Sequence, residues 1–283
     1  MSVQPERMRV VTKNSKGVDV PTRRNGYYVL DAERVYPSVT TILTALPKPQ
    51  LVSWAARMAA EALTEDPSLT VQEAVSAIYK RRDSAGNLGT TVHSWAEALK
   101  CGAPISWKDL PEALQGYGRA FEDWAHKEQP KILLKEQLVW SDRLKIAGKT
   151  DMVCLLDDDT TCAVVDIKTG SGIYAEAGLQ MAMYRLCLNE MRQFHGVEMP
   201  PVGHPGLPIP WVNEARVLHL KAEGNYDFPR MEEADGEAVF LSLKRTWEWL
   251  QEKEAARDGT RKKEKIVNGE ATASKLMYQE VKP

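Results

Sequence analysis

The stretch AVVDIKTG, residues 163–170, opens as a buried strand and then sets an acid and an amine two residues apart. Side chains on a strand alternate faces, so Val164, Asp166 and Lys168 share one side while Val165 and Ile167 share the other. The two charges therefore point the same way. A same-face structural ion pair accounts for this arrangement, but a buried pair barely offsets its own desolvation. A chemical role is the alternative.

Outward from this stretch, KILLKEQLVW (131–140), LKIAGKTDMVCLL (144–156) and TCAVVDIKT (161–169) are three successive strand-like runs separated by turn residues, which predicts a meander. The run AEAGLQMAMYRLCLNEMRQF (175–194) carries apolar residues at helical period, and beyond a Pro-rich loop at 200–210, EARVLHLK (214–221) returns as a strand. An amphipathic helix over 232–255 follows, and the charged tail 257–283 reads as mobile. Upstream, RRNGYYVLD (23–31) places Asn25-Gly26 at a hairpin turn, Ser38 or Thr40 caps a short helix, and helical spacing runs from Leu51 and over 71–82, 88–100 and 110–127. The order predicts one α+β domain over 1–256, built from an N-terminal hairpin (1–36), a helical lobe (37–129) and a mixed-sheet core (130–256).

Composition narrows the function. With 37 basic and 39 acidic residues among 283, and a net charge of -2, no global field draws the chain to a polyanion, so any such site is local. Cysteines 101, 154, 162 and 187 show no C-x-x-C spacing, which argues against a zinc knuckle or an iron–sulfur cluster and suits reduced thiols in the cytoplasm. No signal core or membrane-length apolar stretch occurs.

Asp151, in GKTDMV on the second strand of the meander, neighbours the strand bearing Asp166 and Lys168. Strands lie about 5 Å apart, so two carboxylates on a common face can converge on one cation that removes their mutual repulsion. Magnesium suits such a pair, because it takes one or two carboxylates and retains waters for a phosphate substrate. Lys168 beside it can orient a water and stabilise phosphate charge.

GKTDMV, VVDIKTG and LQMAMY, in this order, resemble the G-x-x-D, D-x-K and Q-x-x-x-Y motifs of the PD-(D/E)XK nuclease superfamily, in particular its RecB-like and phage-exonuclease branch. The resemblance covers residues 90–220 and implies a restriction-endonuclease-like αβββαβ core. It implies that Asp151, Asp166, the Ile167 carbonyl and His93 hold the metal, that Lys168 is catalytic with Asp166 and Asp151, and that Glu136 is a first-strand acid of the site. It further implies that Gln180 and Tyr184, which share a helix face, touch the nucleic-acid backbone. Arg81, Arg82 and Lys149 are candidates for tracking phosphates, with a solvated face as the ordinary alternative. Glu136 on an alternating strand could equally face solvent, and Glu97, one turn after His93, reads more simply as an exposed helix glutamate.

The expected function is a magnesium-dependent deoxyribonuclease, with manganese able to substitute and no iron–sulfur cluster. A phage-type exonuclease for DNA recombination or processing, working on DNA as a homo-oligomer or beside a single-strand-annealing protein, is its most specific form. The alternatives are a catalytically silent nucleic-acid-binding protein on a nuclease fold, or a metal protein acting on another phosphoester.

Overall fold

Asn25 and Gly26 take φ of 50° and 81°, the left-handed pair that a two-residue hairpin requires and that Asn-Gly adopts most readily. In the computed structural model, which describes residues 12–13, 19–31, 33–98, 106–156, 160–194, 209–232 and 235–267, this turn joins β3 (Thr22–Arg24) to β4 (Tyr27–Val29). The expected hairpin gains a third strand, β5 (Val35–Pro37), while β1 (Thr12–Lys13) and β2 (Asp19–Val20) pair with each other. Ser38 Oγ accepts from the Thr41 amide at 3.1 Å and so caps the single-turn helix α1 (Val39–Ile42).

A proline in its first turn starts α2 (Pro49–Glu65). The next helix, α3 (Val71–Ala98), is a continuous 28-residue rod where the sequence suggested two helices. Gly86 lies between them and Gly89 at the start of the second, and each disfavours a helix by about 1 kcal/mol relative to alanine. A reciprocal Thr70–Glu73 capping box at the start (Thr70 N to Glu73 Oε2 2.8 Å, Glu73 N to Thr70 Oγ1 3.3 Å) and burial of Val92 and Ala96 near the end carry the helix through them. Helix α4 (Gln115–Glu128) begins later than expected, because Pro111 separates two 3-10 turns at 107–109 and 112–114.

The meander forms as read, from β6 (Lys131–Ser141), β7 (Ile146–Leu156) and β8 (Thr161–Lys168), all antiparallel. The crossover helix α5 (Ala175–Phe194) brings β9 (Glu214–Leu220) parallel to β8, and β10 (Tyr226–Asp227) closes a five-stranded sheet of order β10-β9-β8-β7-β6. Helix α6 (Gly236–Val267) runs past the boundary expected at residue 256. The Glu, Lys and Arg residues that gave this segment its tail-like charge are themselves strong helix formers. Residues 268–283 lie outside the described residues, as do Cys101 and most of the Pro-rich loop.

The sheet separates two cores. On one face Val153, Val164 and Val217 pack with α5, α6 and α1 through Met181, Met183, Leu188, Phe240 and Ile42. On the other, Met152, Cys154, Val165, Ile167 and Leu218 pack with the end of α3 and with α4 through Val92, Ala96, Phe121 and Trp124. The fold is of the mixed-sheet α+β class, as the strand and helix order implied. Cys154, Cys162 and Cys187 are buried in these cores.

Candidate active site

The alternation of β6 and β7 reverses midway along the strands. On β7, Ile146 and Gly148 face the α5 side, yet so does Val153, an odd number of residues on; on β6 the same holds for Leu134 and Val139. Glu136, at φ 49°, lies in the left-handed region, a conformation that a non-glycine residue adopts only at a local cost. The reversal brings consecutive residues to one face: Lys135 with Glu136 and Asp151 with Met152 all line a shallow pocket beneath α3. Regular strands would have turned one member of each pair away.

Pairing of β7 with β8 stops at Met152↔Val165. Just beyond, Asp151 Oδ2 accepts from the Ile167 amide at 2.7 Å, so a side chain replaces the missing ladder bond and holds the two strands at the fork. His93 Nδ1, on α3, faces the same Oδ2 at 3.4 Å. Burial pulls the His93 pKa down, but the hydrogen bond and charge of Asp151, helped by Asp166, outweigh it and leave the ring more basic than usual. Lys135 Nζ reaches over to the Ala96 carbonyl at 3.1 Å and secures the C-terminal turn of α3 against β6. Glu97 lines the pocket beside His93. It is nonetheless exposed, as the sequence suggested for a helix glutamate.

Asp166 and Lys168 share a face as expected, with Lys168 Nζ 2.6 Å from Asp166 Oδ2. Asp151 does not join them there. It approaches from the α3 side, whereas Asp166 turns toward α5, where Gln180 Nε2 donates to its Oδ1 at 3.0 Å and Gln180 Oε1 lies 3.5 Å from Lys168 Nζ. Burial, reinforced by the charge of Asp151, lifts the Asp166 carboxyl above the ordinary carboxylate range, against the opposing pull of Lys168. The Lys168 ammonium loses basicity to burial and gains more from Asp166, so it stays protonated. Asp166 Oδ2 is buried and receives no directed hydrogen bond despite the nearby ammonium.

The expected backbone-contacting residues are placed differently. Gln180 and Tyr184 are 8% and 3% exposed, so they sit under the site rather than on the surface a nucleic acid would meet. Tyr184 lies against Gly148, where a Cβ would come within 2.3 Å of its ring. The glycine of G-x-x-D, to which sequence reasoning gave no role, is thus the seat for the tyrosine of Q-x-x-x-Y. Arg81 is held by Glu61 and Glu65 of α2 at 2.8 and 2.9 Å, and Arg82 by Asp83 at 2.8 Å, so both serve local ion pairs. Lys149 pairs with Glu136 and keeps a side chain 46% exposed beside the pocket.

Among the described residues no three His, Cys, Asp or Glu side chains close on a common point. The donors in this region are nonetheless hard oxygens and an imidazole: Asp151, Asp166, whose Oδ2 is ion-paired with Lys168, the Ile167 carbonyl and His93. That chemistry fits a divalent cation of the magnesium class. Also among the described residues, no helix is long and apolar enough to cross a membrane.

A search of curated proteins returns no match to this chain. The PD-(D/E)XK nuclease superfamily profile matches residues 57–233, a span that contains His93, Glu136, Asp151, Asp166, Lys168, Gln180 and Tyr184 and more than half of the chain. The chain belongs to the PD-(D/E)XK nuclease superfamily.

Proposed function

We propose that this protein is a magnesium-dependent deoxyribonuclease that hydrolyses phosphodiester bonds, with manganese able to substitute. The observation that carries this reading is the fork of β7 and β8, where Asp151, tied to the Ile167 amide and faced by His93, comes from the α3 side and the Asp166–Lys168 pair from the α5 side. Asp151, Asp166, the Ile167 carbonyl and His93 would hold the cation. When bound, it supplies charge to the scissile phosphate and acidifies water.

Lys168 stays protonated beside Asp166 and is placed to stabilise charge that builds on the phosphate and to orient the attacking water. Gln180 fixes both partners from below. Lys149, partly exposed next to the pocket, offers a cation to a neighbouring phosphate. Its pairing with Glu136 keeps that cation in place between strands. The most specific form of the proposal is a phage-type exonuclease for DNA recombination or processing, acting as a homo-oligomer or beside a single-strand-annealing protein.

Degradation of end-labelled linear, circular and single-stranded DNA in magnesium, manganese or chelator tests the reading. Loss of linear DNA alone, in metal alone, is the expected pattern. Cleavage that persists in chelator, or intact DNA under every condition, would overturn it.

A further inference from the structure

Pairing of β8 with β9 also ends at the catalytic position: its last rung is Lys168↔His219. Past that rung the chain runs through Thr169, Gly170, Ser171 and Gly172, and neither Gly170 nor Gly172 has a neighbour within 4 Å of where a Cβ would stand. Such a segment has little packing to fix the end of the strand. His219 supplies a tie. The residue is 5% exposed, and Nε2 lies 2.7 Å from the Gly170 carbonyl oxygen. A carbonyl only accepts, so Nε2 carries the hydrogen and donates.

The other ring nitrogen, Nδ1, faces Asp227 Oδ2 at 3.5 Å, and Lys221 Nζ holds that same oxygen at 2.9 Å. The ring thus lies between Gly170 and the Lys221–Asp227 pair. The arrangement extends the ladder by one bond beyond its backbone limit, on the strand whose terminal side chain is Lys168.

The geometry points to His219 as a positioning residue for Lys168: its hydrogen bond to Gly170 anchors the chain just after the lysine and so keeps the ammonium in register with Asp166. This inference rests on the nuclease reading for its catalytic consequence, while the tie itself is a property of the fold. A buried histidine with a carbonyl on one side and a carboxylate on the other has no capacity left for substrate, so it acts through the segment it holds.

The full-length chain, with His219→Leu and His219→Gln, tests this in two readouts. In hydrogen exchange without metal, His219→Leu should speed exchange of amides in 168–174 while leaving β6 and β7 protected, and His219→Gln, which retains an N–H donor, should return the segment toward the wild-type rate. On linear duplex DNA with magnesium, His219→Leu should lower kcat by about 10- to 100-fold at unchanged KM, with His219→Gln recovering most of the loss. Unaltered exchange in 168–174 for His219→Leu, or a glutamine variant as impaired as the leucine one in both readouts, overturns the tie. Altered exchange with wild-type kcat overturns the positioning role. If the wild-type chain cleaves no DNA, the nuclease reading falls and takes the positioning role with it, whereas the tie is decided by exchange alone.

Discussion

Gln180 donates to Asp166 at 3.0 Å and turns its own carbonyl toward Lys168 at 3.5 Å, so one amide bridges the acid and the amine of the D-x-K motif. The orientation is fixed by charge, since the amide hydrogen meets the carboxylate and the amide oxygen meets the ammonium. Gln180→Glu removes the donor and sets a second acid against Asp166. It should depress kcat by about 10- to 100-fold with little change in KM. Gln180→Ala should also lower stability by about 1–3 kcal/mol, because a buried carboxylate oxygen loses its partner. Steady-state kinetics with urea titration separates the two effects, and a rise in KM alone would argue for direct substrate contact instead.

Asp166→Ala and Lys168→Ala should each reduce cleavage of linear DNA by more than about 100-fold. Asp166→Ala should also weaken cation binding seen by calorimetry, whereas Lys168→Ala should leave it in place, because only the carboxylate is a donor to the ion. Far-ultraviolet circular dichroism should match wild type for both. Undiminished cleavage by either variant would remove the assigned site.

Tyr184 fills the space that Gly148 leaves empty, with a Cβ at that position reaching to 2.3 Å of the ring. Gly148→Ala should therefore destabilise the domain by about 1–3 kcal/mol through overpacking. Combining it with Tyr184→Leu should recover part of that loss, since the smaller side chain vacates the ring position. Additive losses in a double-mutant cycle of urea midpoints would contradict the contact.

Arg143 clamps Glu237 at the start of α6, with Nη1 to Oε1 at 2.5 Å, and also meets Glu190 of α5 at 2.8 Å. Hydrogen bonds from Arg143, opposed by burial and assisted by its charge, hold the Glu237 carboxyl below the usual range. A carboxyl lowered in the folded state contributes its stability in full above the unfolded value of about 4.3 and loses it as pH falls through the folded value. Glu237→Gln should therefore flatten the decline in melting temperature on acidification below about pH 4. The effect at neutral pH should be about 1 kcal/mol or less, because both partners are substantially exposed and salt screens them. An identical acid limb in the variant would show that the clamp contributes nothing.

Much of the fold was legible because its signals are local. Asn25-Gly26, the three apolar strand runs and the helical period of 175–194 each needed only neighbours in sequence, and each formed close to the expected bounds. The long α3 was not, because the helical spacing lapses between 82 and 88, and the Thr70–Glu73 capping box and the packing of Val92 and Ala96 carry the helix across. The same division holds at the site. The D-x-K spacing puts Asp166 and Lys168 on one face by strand geometry alone, and they meet. Which side Asp151 takes depends on the reversal beside Glu136, a tertiary feature that no periodicity displays. Gln180 and Tyr184 were found by motif but assigned to the surface. Their burial follows from the close seat at Gly148 and the carboxylate above it, neither of which is visible along the chain.

The left-handed backbone at Glu136 also divides each long strand into two stretches that obey opposite inside–outside codes. Tolerance to substitution at 147 and 149 therefore carries no information about 153 and 155, although the four positions share one parity on paper. A β-branched residue at 136, which resists that dihedral, would press the two stretches back into phase and swing Asp151 away from its histidine without touching either side chain.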